Sequence, residues 1–236
     1  MILETPERKR TVTQDNALIM ASYAMTLDEK RLLVAAISKL DPTSKAWLAG
    51  RAEAEVTASE WMRLYSADQT NAYRQINEAS KRLYDRSARV WGDSKKGKEV
   101  RWISGREYDE GQGRVVLIFG GPILHYLTGM VDEFTKYDLL GVCGLKSVHS
   151  VRLYELASQF KGTGWRHIEL DDLRGMFGLG DAYQDWRDLK KRVIDRACKE
   201  VTAKSDLDVS YEIVKRGRSV HAIRLKIEPK DQLDLF

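Results

Sequence analysis

Tyr73-Arg-Gln-Ile-Asn-Glu-Ala-Ser-Lys-Arg-Leu-Tyr-Asp-Arg-Ser87 aligns without gaps on Tyr183-Gln-Asp-Trp-Arg-Asp-Leu-Lys-Lys-Arg-Val-Ile-Asp-Arg-Ala197. Tyr, Lys-Arg and Asp-Arg recur at matched places, and apolar residues fall opposite apolar residues. Self-similarity at a long fixed offset implies one structural unit used twice. Each copy reads as a basic amphipathic helix. The unit is therefore a candidate nucleic-acid reader with two contact surfaces.

The flanks of both copies carry one order of elements. Before the first copy, Asn16 is placed to cap a short helix through Tyr23, and Thr26-Leu-Asp-Glu29 is a capping box with Leu32, Leu33, Ala36, Ile37 and Leu40 as an apolar stripe behind it. Asp41-Pro42 stops that helix. Ala52, Ala54 and Val56 alternate as a strand, and Thr57-Ala-Ser-Glu60 opens another helix. Strands are expected over Ala88–Trp91, Glu99–Gly105 and Arg114–Phe119. Around the second copy, Ser147–Phe160 is helical, Arg166–Leu170 is extended, and Asp171 or Asp172 caps a small helix ending near Phe177. Gly178-Leu-Gly180 then turns into a long helix from about Ala182 to Ala203, followed by strands Val209–Val214 and Ser219–Ile227. Helix, strand, helix, helix, hairpin is the order of a winged helix, whose third helix enters the major groove. The expected class is α+β, with two winged-helix domains in tandem as a pseudo-duplication. A boundary near residue 134 gives modules 1–134 and 135–228, lying separately, with a tail over 229–236.

Composition agrees with that scale. The chain has 236 residues, 43% hydrophobic and 31% charged, which suits one large domain or two ordinary ones and is too apolar for disorder. No apolar run approaches the ~20 residues a bilayer crossing needs. The start, Met-Ile-Leu-Glu-Thr-Pro-Glu-Arg-Lys-Arg10, lacks an apolar signal core, so a cytoplasmic protein without membrane contact is expected. Cys143 and Cys198 lie far apart, with no C-x-x-C, and read as reduced structural thiols.

The net charge is only +4, but it is unevenly placed. Residues 183–226 hold twelve Lys/Arg and seven Asp/Glu, a net of +5, which leaves −1 for the rest. On a helical wheel from Tyr183, Trp186, Leu189, Val193, Ala197 and Val201 share one side. Arg187, Asp188, Lys191, Arg192 and Lys199 share the other. The N-terminal half of such a helix goes deepest, so Arg187, Lys190 and Lys191 are the base-edge candidates, with Lys190 near the apolar border. A lone basic helix is more often a solvated face. Here the turn Lys215-Arg-Gly-Arg218 reverses that preference, because Gly217 permits a tight tip and Lys215, Arg216 and Arg218 flank it. In the first copy the comparable face holds Arg74, Gln75, Asn77 and Lys81, with a wing turn over Gly92-Asp-Ser-Lys-Lys-Gly-Lys98 that supplies Lys95, Lys96 and Lys98. That turn contains G-x-x-x-x-G-K, but Glu99 stands where Ser or Thr is required and a strand follows, which excludes a nucleotide loop.

Nothing in the chain reads as catalytic, and no cofactor or metal is expected. His125, His149, His167 and His221 are scattered, no nucleophile elbow appears, and acids interleave with bases as surface pairs. The last residues, Gln232-Leu-Asp-Leu-Phe236, follow Pro229 as an expected short tail. They resemble the peptide motif that binds the bacterial sliding clamp. The resemblance implies that Gln232 anchors by hydrogen bonds while Leu235 and Phe236 fill an apolar pocket, assisted by Leu233.

Four further stretches carry a wider resemblance: Val12-Thr-Gln-Asp-Asn-Ala-Leu18, Leu27-Asp-Glu-Lys-Arg-Leu-Leu33, Gly144-Leu-Lys-Ser-Val-His-Ser-Val-Arg-Leu-Tyr-Glu-Leu156 and Trp186-Arg-Asp-Leu-Lys-Lys-Arg-Val-Ile-Asp195. Over roughly residues 10–228 the chain resembles the iteron-binding plasmid replication initiators. Lys146 and Ser147, inside one matching stretch, join the DNA-contacting candidates. Arg196 stands where members commonly carry Pro. The resemblance implies a bacterial, plasmid-encoded, non-enzymatic protein that binds repeated origin DNA as a monomer. It also implies a dimer, formed mainly through the first domain, that represses its own promoter, and contacts with host replication proteins. A stand-alone winged-helix repressor without an initiator role is the alternative.

Overall fold

The computed structural model describes residues 10–41, 43–91, 97–127 and 133–230. The chain opens with strand β1 (Thr11–Asp15) and helix α1 (Asn16–Met20). Asp15, not Asn16, caps α1 by accepting from Ala17 N at 2.6 Å. Helix α2 (Leu27–Ile37) starts on the expected capping box, in which Thr26 accepts from Glu29 N at 3.3 Å and Glu29 accepts from Thr26 N at 2.8 Å. A short α3 (Lys45–Leu48) leads into β2 (Arg51–Thr57) and α4 (Ala58–Tyr65). Thr57 caps α4, but Glu60 turns away to Arg10 and Lys39 and leaves the box half made. The repeated stretch then forms α5 (Gln69–Tyr84), capped by Asp68.

Four strands follow: β3 (Ser87–Trp91), β4 (Gly97–Arg101), β5 (Gly105–Asp109) and β6 (Arg114–Gly120). After α6 (Pro122–His125), β7 (Phe134–Asp138) pairs back onto β1. Helices α7 (Leu140–Cys143) and α8 (Val148–Ser158), strand β8 (Trp165–Glu169) and helix α9 (Leu170–Met176) open the second half. Neither Asp171 nor Asp172 caps α9; both lie in its first turn behind Glu169. Next come α10 (Trp186–Leu189), a π-helical turn (Lys190–Ile194) and α11 (Asp195–Lys204), which together form the long second reading helix. The hairpin β9 (Leu207–Arg216) and β10 (Ser219–Pro229) ends the described chain, with the strand running through Pro229.

Each half holds a three-stranded antiparallel sheet of one topology, β2-β6-β5 in the first and β8-β10-β9 in the second. The strand before the reading helices pairs with the last strand of the hairpin, as in a winged helix. Alternation fixes the register: Ala52, Ala54 and Val56 lie opposite Phe119, Leu117 and Val115, all buried. This pairing corrects the first wing. By topology it is β5–β6, whose tip passes through Asp109, Glu110 and Gly113 and is acidic. The basic hairpin β3–β4 is an additional two-stranded sheet. The single strand expected over Glu99–Gly105 is split between the two.

The modules are joined rather than separate. Their apolar residues form one continuous core, and α2 meets α8 at the seam. Charged groups are buried there. Lys30 and Glu155 are both fully buried and pair at 2.8 Å, and Arg152 reaches Glu155 at 3.2 Å. Tyr137 donates to Glu155 at 2.7 Å, and Lys30 donates to the Tyr23 hydroxyl at 2.9 Å. Arg152 also bonds the Tyr23 hydroxyl, stacks on that ring at 4.2 Å, and donates to the Ile19, Ala21 and Met176 carbonyls at 2.8, 3.1 and 2.7 Å. The expectation that acids and bases form surface pairs fails at these residues. Buried charges persist only when paired and hydrogen-bonded, and these are.

Candidate nucleic-acid interface

The second reading helix is prepared by the turn before it. Gly178 and Gly180 take left-handed φ of 61° and 51°, and Tyr183 does so at 55°. Arg174, in α9, ties this turn down by donating to the carbonyls of Gly180, Ala182 and Tyr183 at 3.0, 2.6 and 2.7 Å. Asp185 then caps the helix through Arg187 N at 2.7 Å. Leu189, Val193, Ala197 and Val201 are buried as the wheel predicts, and Trp186 packs at the margin of the core. Ile194 and Cys198 join them as a second buried column.

Arg187, Lys191, Arg192, Arg196 and Lys199 face solvent on the opposite side. Arg192 pairs with Asp188 at 3.1 Å, whereas Arg187, Lys191, Arg196 and Lys199 have no ion pair among the described residues. Arg196 is not among the contacts expected from sequence; its spacing of four from Arg192 is the available signal. The wing brings further charge. Lys215, Arg216 and Arg218 are exposed around Gly217, whose φ is 62°, and none has an ion pair among the described residues.

Helix and wing are locked together where the π turn occurs. Residues five apart point about 140° away from each other in an α-helix. The wider turn instead brings Lys190 to within 2.8 Å of Asp195. Tyr211 on β9 donates to the same carboxylate at 2.6 Å, and Lys190 lies 6.0 Å from that ring. Partial burial works against the Asp195 charge, but hydrogen bonds from Lys190 and Tyr211 outweigh it and hold the carboxyl below its usual value. Lys190 is thus half-exposed and already paired. Lys146 is exposed nearby in sequence to Ser147, whose hydroxyl caps α8 by accepting from His149 N at 3.2 Å.

The first copy is differently dressed. Arg74, Lys81 and Lys98 are exposed, while Lys95 and Lys96 lie outside the described residues. Gln75 accepts from Trp61 Nε1 at 2.9 Å, and Asn77 accepts from Arg106 at 2.8 Å, so two side chains of the comparable face are engaged inside the module. Beside them Tyr73, Asn77, Glu107, Tyr108, Asp109 and Glu110 line a cleft between α5 and the β5–β6 wing in which three acids outnumber one cation, Arg114. Such a surface repels phosphate at that edge, which leaves Lys81 and the β3–β4 hairpin as the cationic side.

Among the described residues no group of three or more His, Cys, Asp or Glu comes together in a metal-holding arrangement. Among them, too, no helix is long and apolar enough to cross a membrane. Cys143 and Cys198 form no disulfide among the described residues. The clamp-like motif, Gln232, Leu233, Leu235 and Phe236, lies outside the described residues.

Comparison with known proteins agrees with the geometry. A family described as "Initiator Replication protein, WH1" matches residues 11–158, and "Initiator Rep protein, WH2" matches residues 169–227. The chain is 25% identical over 230 residues to an Escherichia coli replication initiation protein, covering 95% of this chain and 71% of that one. An uncharacterized 27.6 kDa Escherichia coli protein is 26% identical over 238 residues, covering 94% and 97%. Among solved structures, the Pi initiator protein in complex with iteron DNA superposes with a TM-score of 0.81 at 19% identity, over 96% of this chain and all of that one, and so shares the fold. With both halves matched in order, the chain belongs to the initiator replication proteins, and is a replication initiator built of two winged-helix domains.

Proposed function

We propose that this protein binds repeated origin DNA as a monomer, reading it chiefly with the second long helix and the Lys215–Arg218 wing. The observation that carries this is the set of exposed cations without ion pairs among the described residues on the second long helix and at its wing tip: Arg187, Lys191, Arg196, Lys215, Arg216 and Arg218. Cations left without carboxylate partners favour phosphate, and the helix N-terminus adds a positive dipole end. Arg187 and Lys191 reach base edges, Lys190 sits at the groove wall, and Arg192 and the wing track the backbone. Lys146 and Ser147 lie at the start of α8 as backbone contacts. The first module adds contacts through Arg74, Lys81, Lys98 and the adjoining Lys95 and Lys96. The relative solved with iteron DNA supports this class of target.

The same reading includes a dimer through the first module that represses the protein's own promoter, a plasmid-borne gene and a cytoplasmic, non-enzymatic role. Gln232–Phe236 captures the polymerase sliding clamp. The test is a salt titration of a duplex selected by the full chain from a random pool. Replacing Lys191 and Arg192 together by Ala should flatten the log–log slope by about 0.9 for each phosphate that is no longer neutralised. An unchanged slope counts against this surface.

A further inference from the structure

Two sets of charged contacts, carried by adjacent residues of α2, lie between one reading helix and the turn before the other. Arg82 on α5 donates to Glu29 at 3.0 Å, and Arg86 lies 3.4 Å from the same carboxyl group. Glu29 is fully buried and is followed on α2 by Lys30, also fully buried. Lys30 pairs with Glu155 on α8, and Glu155 with Arg152 one turn earlier. Arg152 donates twice to the Met176 carbonyl, at 2.7 and 3.0 Å, where α9 ends and the turn into the second reading helix begins. Two residues on, Gly178 lies against the first half so closely that a Cβ would sit 2.1 Å from the Tyr23 carbonyl.

An apolar seam tolerates sliding, because dispersion contacts are non-directional. Ion pairs shielded from water fix both distance and angle, and departures leave a charge uncompensated. We propose that Lys30, Glu155 and Arg152 are specificity-determining residues for site spacing: the buried contacts they make hold the two reading helices at one separation and one angle, so the protein selects DNA whose two contact blocks match that separation. This rests on the reading that both helices meet a single duplex. One inserted base pair moves a block about 3.4 Å along and about 35° around the axis, so a rigid pair of helices cannot follow it.

The cleanest variant is Lys30→Met. The cluster holds two cations against one carboxylate, so removing Lys30 leaves Arg152 and Glu155 balanced while cutting the bridge from α2 to α8. Glu29→Gln is the second variant; it loosens α5 from α2 and frees Arg82 and Arg86, which are already partly solvated. The probe is the duplex selected by the full wild-type chain, footprinted to locate both blocks, then remade with one base pair inserted between them. Wild type should lose about tenfold or more in affinity on insertion, and each variant less than about threefold. All three should bind a duplex bearing only the second-half block equally well. Variants that keep the wild-type discrimination overturn this assignment and leave the DNA reading intact. A wild-type chain that selects no duplex, or protects a single block, overturns that reading and the spacing role with it.

Discussion

Glu155 lies between Lys30 and Arg152 with none of its side chain reaching water. Burial alone would raise its carboxyl, but the two cations and the hydrogen bonds from Lys30 and Tyr137 hold it below the ordinary 4.5. A carboxylate depressed by folding gives its full stabilisation above the ordinary value and loses it as pH falls through the folded one. Stability measured by urea melts should therefore hold from neutrality down to pH 4.5 and decline below it. Glu155→Gln should flatten that acid limb. Glu155→Ala should cost about 3–5 kcal/mol at neutral pH, because it strands two buried cations. Sequence could not show this. Asp28-Glu29-Lys30-Arg31 looks like any solvated run, and Lys30 is buried only because a carboxylate far along the chain folds against it.

At the scale of elements, local signals are legible in the sequence and insertions are not. The capping box at Thr26, the alternating Ala52–Val56 strand and the glycine turns before the second reading helix stand where the residue types place them. Each rests on neighbours a few positions away. The first wing is misassigned from sequence because both hairpins after α5 have turn residues at their tips, and only pairing with β2 shows which one closes the sheet. The π turn is likewise hidden: a gapless match between the two repeats carries no mark of a widened turn in one of them. Gly178 gives a direct prediction. It combines a left-handed φ with the Tyr23 carbonyl where a Cβ would go, so Gly178→Ala must move one module or the turn. Thermal melts should show a destabilisation of about 1–3 kcal/mol or more.

Across the whole molecule, duplication is readable from the repeated helix alone, and the winged-helix order follows from what flanks it. The join between the copies is not readable, since a seam is a long-range fact and periodicity is a short-range one. Nor does the likeness of the copies extend to charge: the second half presents a cationic wing and the first an acidic one. Deleting Gln232–Phe236 should abolish binding to the sliding clamp in a pull-down and leave duplex affinity unchanged. Equal capture by the shortened chain would remove the motif from consideration. Lys230 gives that expectation a geometry. Its ammonium group bonds the carbonyls of Thr202 and Ser205, and its amide donates to the Asp206 carbonyl, so the backbone is stapled at the carboxyl end of α11. Six fully extended residues reach at most about 20 Å. Whatever grips Phe236 is therefore tethered within one short radius of the helix proposed to lie in the groove, and arrives at the double strand together with it.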